Sequence, residues 1–420
     1  MATADRLTLL SRILAYLMVS SVFLYLINNY LVFWRELPGP YQLFSHLGWI
    51  GQDQAGSLSG DQVYQGWMQL LVYLVVLVGT AIYALKRKAV ALREESLRLQ
   101  TLAGFLVRAA FWSVLLIGVV DMLISFLRVE QFLEAWVGAE LTAELGRSTF
   151  RVTYVHYPLL IVSFVIAFMA KKISFSWLAL LVVLSEFSIV ITRFVFSYEQ
   201  AFMGDLVRFW YAALFLFASA YTLVHEGHVR VDVLYANFSR VTKAWSNIIG
   251  SIFLGIPLCW VILMQGMAGR GNSINNPLLS FEISQSAYGM YVKYLMAAFL
   301  VVFAVTMLIQ FVGYLLKNVA ELVDPEDPDA TDEGLPEALT LLECNIDDMS
   351  PELYEHVLAL LFDQGALDAW LTPLICSSAG LTTSRANSVI RAMGSSPCST
   401  RMAMGRALGS QRRISGRSAA

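Results

Sequence analysis

Two groups of residues in this chain have types and spacings that could do chemistry. His225-Glu-Gly-His228 sets two histidines around a glutamate. A zinc-binding H-E-x-x-H helix puts its histidines one turn apart with the glutamate as base. Here the spacing is one residue short and Gly227 interrupts the helix. Metal binding is therefore the weaker reading, and no metal, cofactor or catalytic residue is assigned. The cysteines Cys259, Cys344, Cys376 and Cys398 show neither metal-ligand nor disulfide spacing. The second group is ionisable side chains inside apolar runs: Arg108 and Asp121 in 102–126, His156 near the start of 152–170, and Glu186 in 174–192. A charge at the bilayer centre costs ~2.5–3.5 kcal/mol, so such groups are buried in protein and paired, or they carry protons or ions. Arg193 follows Glu186 by seven residues and shares its helix face. We read Glu186 as a structural polar contact inside a complex, with a proton or sodium relay as the alternative. Asp121 is read the same way, near enough to a span end to reach water.

The elements that must position these groups are membrane spans. The chain is 57% hydrophobic and 15% charged, against ~45–50% and ~25% in soluble domains. A crossing helix needs ~20 mostly apolar residues. Eight runs qualify: 13–34, 65–85, 102–126, 152–170, 174–192, 206–224, 245–269 and 294–316. The third, fourth, fifth and sixth are the weaker ones, being interrupted or short. The first run lacks a small-residue cleavage site and reads as a retained anchor. The fold class is an all-α polytopic membrane protein with eight transmembrane helices.

Lys and Arg in short loops set the orientation. Loop 86–101 holds Lys86, Arg87, Lys88, Arg93 and Arg98. Lys171, Lys172, Arg230, Arg240, Lys243 and Lys317 fall on the same side, with Arg6 and Arg12. Both termini are expected in the cytoplasm. Trp34, Trp67, Trp177, Trp210 and Trp245 fall near span ends, as an aromatic belt requires. In 128–151, Phe132, Trp136, Leu141 and Leu145 recur at roughly helical spacing among glutamates. That fits a helix lying in the membrane interface or one packed on the ends of the bundle.

The stretch from Arg193 to Tyr235 reads Arg193-Phe-Val-Phe196, then Asp205-Leu206, an apolar run, and Gly227-His-Val-Arg-Val-Asp-Val-Leu234. It resembles the small membrane subunit of tripartite ATP-independent periplasmic (TRAP) transporters. In that family an R-Y-V-F-like segment closes one span, and the next exits on a G-H-I-x-V-D-L-L-like motif. The resemblance covers roughly 174–316. It marks Arg193, Phe194, Asp205, Leu206, Gly227, His228, Arg230 and Asp232 as motif or partner-interface residues. The family's tryptophan before the second core span is Phe202 here, and of its paired acids only Asp205 remains. The resemblance implies a long-form scaffold subunit in the bacterial inner membrane, without enzymatic, substrate-binding or nucleic-acid role. The implied partners are a large TRAP membrane subunit, a periplasmic solute-binding protein and the lipid bilayer. The implied process is sodium-coupled import of an organic acid, a 2-hydroxy acid or dicarboxylate among the options. Two other classes stay open: a self-contained carrier using Glu186 and Asp121, and a membrane-tethered accessory of nickel-cofactor assembly.

Charge divides the rest of the chain. Residues 1–320 hold 22 Lys+Arg and 17 Asp+Glu, 321–376 hold 15 acids and no base, and 377–420 hold seven Arg and no acid. We read 1–172 as a four-helix extension, 173–320 as the family core, and 321–338 as an acidic, proline-bearing disordered linker. Residues 339–376 read as a strand–helix–strand fragment, and 377–420 as a basic disordered tail. In the fragment, Ser350 can cap a helix that has Pro351 at its first position. Glu343-Cys-Asn-Ile-Asp-Asp-Met-Ser-Pro-Glu352 and Gly365-Ala-Leu-Asp-Ala-Trp-Leu-Thr-Pro373 resemble the nickel-insertion protein that completes a nickel-pincer cofactor. The fragment is too small to hold a metal site alone. The arginine-only tail matches what out-of-frame translation of GC-rich DNA gives, so a gene fusion or frame error is expected there.

Overall fold

The computed structural model describes residues 2–50, 58–88, 90–170, 175–224, 235, 238–283, 289–324, 340–346, 354–363, 368–375 and 386–394. They fall into two compact units, Met1–Pro325 and Glu326–Ala420. The first unit is helical: α1 Ala2–Phe33, α2 Pro40–His46, α3 Gly60–Lys86, α4 Leu92–Val129, α5 Phe132–Val137, α6 Ala139–Leu145, α7 Ser148–Arg151, α8 Tyr157–Met169, α9 Phe175–Phe196, α10 Ala201–Val224, α11 Arg240–Gly250, α12 Ile256–Met267, α13 Asn275–Ser280 and α14 Lys293–Val323. Eight helical runs among the described residues are long and apolar enough to cross a membrane. They coincide with the eight runs read from the sequence, including the four interrupted or short ones.

Local chemistry explains where these helices start and bend. Ser59 Oγ accepts the Gln62 N–H while Gln62 Oε1 accepts the Ser59 N–H, so α3 begins on a capping box. Ser239 caps α11 by accepting the Thr242 N–H. α7 runs into α8, and α11 into α12, through single π-helical turns at Val152–His156 and Ser251–Gly255. One residue after each turn comes a proline, Pro158 or Pro257. A proline lacks its N–H and clashes with the carbonyl four residues back. The widened turn lies over that carbonyl, so the helix continues through the proline.

α14 is the axis of the unit. It packs against α1, α4, α10, α11, α12 and α13, and half of its most apolar stretch is buried. α4 packs against α8, α10 and α14. The division at 172/173 is thus one of sequence and not of packing. Small residues permit the closest approaches. A Cβ on Gly118 would stand 2.5 Å from Trp210 Nε1, and one on Gly255 would stand 2.7 Å from the Phe311 ring. Trp210 is buried and donates to the Val114 carbonyl at 3.4 Å. It is a packing residue and not part of an aromatic belt, because α10 is covered there by α4. The segment 128–151 is helical over α5, α6 and α7. Leu133 and Leu145 are buried against the bundle, while Phe132 and Trp136 are exposed.

The second unit contains β1 Thr340–Ile346, α15 Tyr354–Asp363, β2 Asp368–Ile375 and β3 Ala386–Gly394. Its sheet is antiparallel with order β1–β3–β2. The central strand β3 lies inside the stretch expected to be a disordered tail, which corrects that expectation for 386–394. Ile390 stands opposite both Cys344 of β1 and Leu371 of β2, so one short apolar stretch serves two pairings. On α15, Val357 and Leu361 are buried one turn apart. Ser350, Pro351 and most of the linker 321–338 lie outside the described residues, but α14 takes in Glu321–Val323.

The α4–α10 contact gives a direct expectation. Gly118→Val is expected to displace Trp210 and cost about 1–3 kcal/mol by overpacking. It should lower the thermal midpoint of the detergent-purified chain. An unchanged midpoint would mean that the helices do not approach this closely.

Candidate functional site

The polar centre of the first unit forms around Asp121, eight residues before the end of α4. The turn at Val152–His156 swings Arg151 and His156 toward it. Asp121 Oδ1 accepts from Arg151 Nη1 at 3.0 Å and from His156 Nε2 at 3.2 Å. Asp121 Oδ2 accepts the backbone N–H of Tyr291 at 2.7 Å. Nε2 faces a carboxylate and donates to it. Nδ1 then accepts from the Tyr294 hydroxyl at 2.8 Å. Arg151 also donates to the Leu145 carbonyl and to Ser125 Oγ, and its guanidinium lies 3.9 Å from the Tyr291 ring centroid. Asp121, Arg151 and His156 are all 0% exposed. The expectation that Asp121 reaches water is therefore corrected: the segment entering α14 closes over it.

Asp205 does the same work one residue earlier. Its Oδ2 accepts the Met290 N–H at 3.1 Å. Consecutive backbone N–H groups of 290 and 291 are thus tied to α10 and α4 by two carboxylates. At the same end, Tyr198 donates to Glu130 at 2.6 Å, and burial together with that carboxylate pushes its phenol up to about 12. A second buried pair lies near the other end of α4. Arg12 Nε donates to Glu95 Oε2 at 2.7 Å, with Tyr16 on Glu95 Oε1 at 3.3 Å. Arg87 Nε stands 3.5 Å from the same oxygen without hydrogen-bond geometry.

The other residues singled out in the sequence are placed differently. Leu206 is buried against the Gly118 contact, and Asp205 is turned to the Met290 N–H, so both face the chain's own bundle. Arg193 and Phe194 are exposed on α9. Arg193 pairs with Glu199 at 3.4 Å instead of nearing Glu186. Glu186 is exposed and makes no hydrogen bond or ion pair with any described residue. None of the most apolar stretch of α9 is buried. Gly227, His228, Arg230 and Asp232 lie outside the described residues, as does His225. Arg108 leans back along α4, its Nη1 3.5 Å from where a Cβ on Gly104 would sit. It also makes no polar contact with a described residue.

Sequence reasoning named Asp121 and noted His156, but it did not join them to Arg151, Tyr291 and Tyr294. The available signal was a lone acid in one apolar run with an arginine and a histidine flanking the next. Among the described residues no cluster of three His, Cys, Asp or Glu side chains could hold a metal. A cavity of about 300 Å³ lies between α1, α4, α8, α10 and α14. Its two hydroxyls, on Ser113 and Thr306, are spent on their own helices' carbonyls. It offers no free polar group to recognise a charged solute.

The arrangement defines a multi-pass membrane protein whose buried charges are paired internally. Within it, residues 179–321 match the family model described as the DctQ component of tripartite ATP-independent periplasmic transporters. That match falls on the same part of the chain as the 193–235 motifs. Residues 269–377 match a second model, that of nickel insertion proteins. Two curated relatives share a short stretch with this chain. One is the pyridinium-3,5-bisthiocarboxylic acid mononucleotide nickel insertion protein of a Nocardioides species, 54% identical over 35 residues, 8% of this chain and 9% of that protein. The other is a provisionally named nickel insertion protein of Syntrophobacter fumaroxidans, 60% identical over 35 residues, with the same shares. The chain thus spans 9% of the length of these relatives. No solved structure matches. The two models overlap on 269–321, which includes most of α14. That helix packs inside the first unit, so the overlap lies within that unit.

Removing one partner from a buried ion pair strands the other charge and costs about 3–5 kcal/mol. Arg151→Ala and Asp121→Ala are each expected to lower the thermal midpoint strongly. The double variant Asp121→Leu, Arg151→Met should be less damaging than either single change. Additive losses in the double variant would contradict the pairing.

Proposed function

We propose that this chain is the long-form small subunit of a TRAP transporter, a scaffold and not an enzyme or an autonomous carrier. The DctQ-component match over 179–321 carries this reading. The bare surface of α9 supports it. A helix with no buried apolar stretch and an unpaired Glu186 is poorly suited to lipid alone, since an isolated charge in the bilayer is costly. A large membrane subunit packed against α9 would cover that face and supply a polar partner for Glu186. A periplasmic solute-binding protein would complete the system. Import of an organic acid driven by sodium follows from the family, and the nickel-protein likeness tilts the substrate toward 2-hydroxy acids such as lactate.

The proposed membrane is the bacterial inner membrane, with both termini in the cytoplasm, as the Lys/Arg alternation requires. Residues 339–376 and 377–420 are proposed to be a fusion or frame-shifted addition with no part in transport. A membrane-tethered accessory of nickel-cofactor assembly is disfavoured, because 35 shared residues are a small part of the nickel insertion proteins.

Three outcomes are expected. Purified alone in liposomes, the chain should take up no substrate, and with its large subunit and binding protein it should support sodium-dependent uptake. Uptake by the chain alone would overturn the scaffold reading. Glu186→Gln should lower the yield of the complex without altering ion coupling in complexes that assemble. Deleting residues 326–420 should leave uptake and co-purification of the large subunit unchanged, because the unit boundary falls at Pro325. Loss of the large subunit on deletion would make the appended unit a working part.

A further inference from the structure

A polar cavity of about 370 Å³ lies where α1 and α12 end, roofed by the chain around Gly39 and α2. That size is at the low end for small-ligand sites. Asn29 lines it and is 4% exposed. Its Nδ2 is spent on the Met267 carbonyl at 2.7 Å, and its Oδ1 takes no hydrogen bond from a described residue. Asn28 is the complement: its Oδ1 accepts from Tyr73 at 3.3 Å, and its Nδ2 has no acceptor among the described residues. A Cβ on Gly39 would press on Val32 at 2.7 Å and on Asn28 Oδ1 at 3.2 Å, so a glycine holds the roof close over the asparagines. Arg270 stands at the rim, paired with Glu36 at 2.7 Å. Both of these side chains are more than half exposed. Such a pair is worth little and is easily parted.

We infer that this cavity binds the headgroup of phosphatidylethanolamine. The site offers a cation and a free N–H donor beside an anion and a free oxygen acceptor. A zwitterion with N–H donors satisfies all four: its phosphate takes Arg270 and Asn28 Nδ2, and its ammonium takes Glu36 and Asn29 Oδ1. Each new contact is a charge-assisted hydrogen bond, stronger than the exposed pair it replaces. Anionic phosphatidylglycerol leaves Glu36 opposed to a like charge. Phosphatidylcholine, with a methylated nitrogen, has no N–H to give Asn29. Val32, Phe33, Met267 and Ala268 add apolar wall, with Tyr25, Tyr41 and Gln42 also lining the cavity. The site lies where two helical runs long and apolar enough to cross a membrane end, and headgroups lie at the ends of such spans. These features assign the occupant to a lipid and not to a soluble zwitterion.

The test is native mass spectrometry of the full chain in detergent micelles holding equal phosphatidylethanolamine, phosphatidylcholine and phosphatidylglycerol. The wild-type chain should retain phosphatidylethanolamine in preference to the other two by about tenfold, the worth of one charge-assisted hydrogen bond. Arg270→Gln and Glu36→Gln, both at exposed positions that leave the bundle intact, should each remove most of that preference. Arg98→Gln, an exposed arginine on α4, should leave it unchanged. Equal retention of the three lipids, or an unaltered preference in both rim variants, overturns the proposal. Displacement by millimolar O-phosphoethanolamine as readily as by the lipid would reassign the site to a soluble zwitterion and overturn the lipid assignment.

Discussion

A carboxylate shut away from water has to find every hydrogen bond inside the protein, and Asp121 is the clearest case here. One oxygen takes an arginine and a histidine, and the other takes a backbone N–H. In a bilayer the same demand falls on every backbone group that is not helical. The segment entering α14 breaks helical bonding at 290–291, and its two free N–H groups are met by Asp205 and Asp121. The central helix of the unit is therefore held at its entry by one acid from the family domain and one from the extension.

This arrangement joins parts that the sequence divides. α4 carries a buried acid near each end: Glu95 gathers Arg12 and Tyr16 from α1, and Asp121 gathers Arg151 and His156 from α7 and the turn before α8. Between these clasps α4 lies on α10 and α14. Both ion pairs lie within the extension, which is joined to the residues of 179–321 by Asp121 on the Tyr291 N–H and by the packing of α4 on α10 and α14. Pairs of this kind add little net stability over an apolar replacement, but they are costly to break singly. Their consequence is fixed register more than strength.

α9 is the counterexample that makes the functional reading physical. It is the first helix of the matched domain, yet it packs on α10 and buries none of its most apolar stretch. Elsewhere in the unit charges within spans are mostly paired, whereas Glu186 is bare. An apolar surface with one unsatisfied acid is the feature on which the proposed second membrane protein rests. The appended unit tells a separate story, with its own small antiparallel sheet and a brief likeness to nickel insertion proteins.

By itself the sequence determined the solvent and the number of crossings. Twenty-residue apolar runs are a local property, and lipid permits only a helix there. It also carried the resemblance to the TRAP small subunit, because the 193–235 motifs are contiguous. It marked Asp121 as needing a partner, since a lone charge in an apolar run has few options. Only the tertiary structure decided which partner. Arg151, His156 and the Tyr291 N–H come from segments up to 170 residues away, and their meeting depends on a π turn and a chain crossing that no local pattern encodes. The same applies to Leu206 and Trp210, whose inward direction is set by the groove at Gly118 on another helix. Glu186 shows the limit from the other side. Its helix could be read from composition, but whether its face is covered is a property of neighbours. β3 was missed for a related reason: a short strand is stabilised by the two strands it pairs with, and nothing in 386–394 alone announces them.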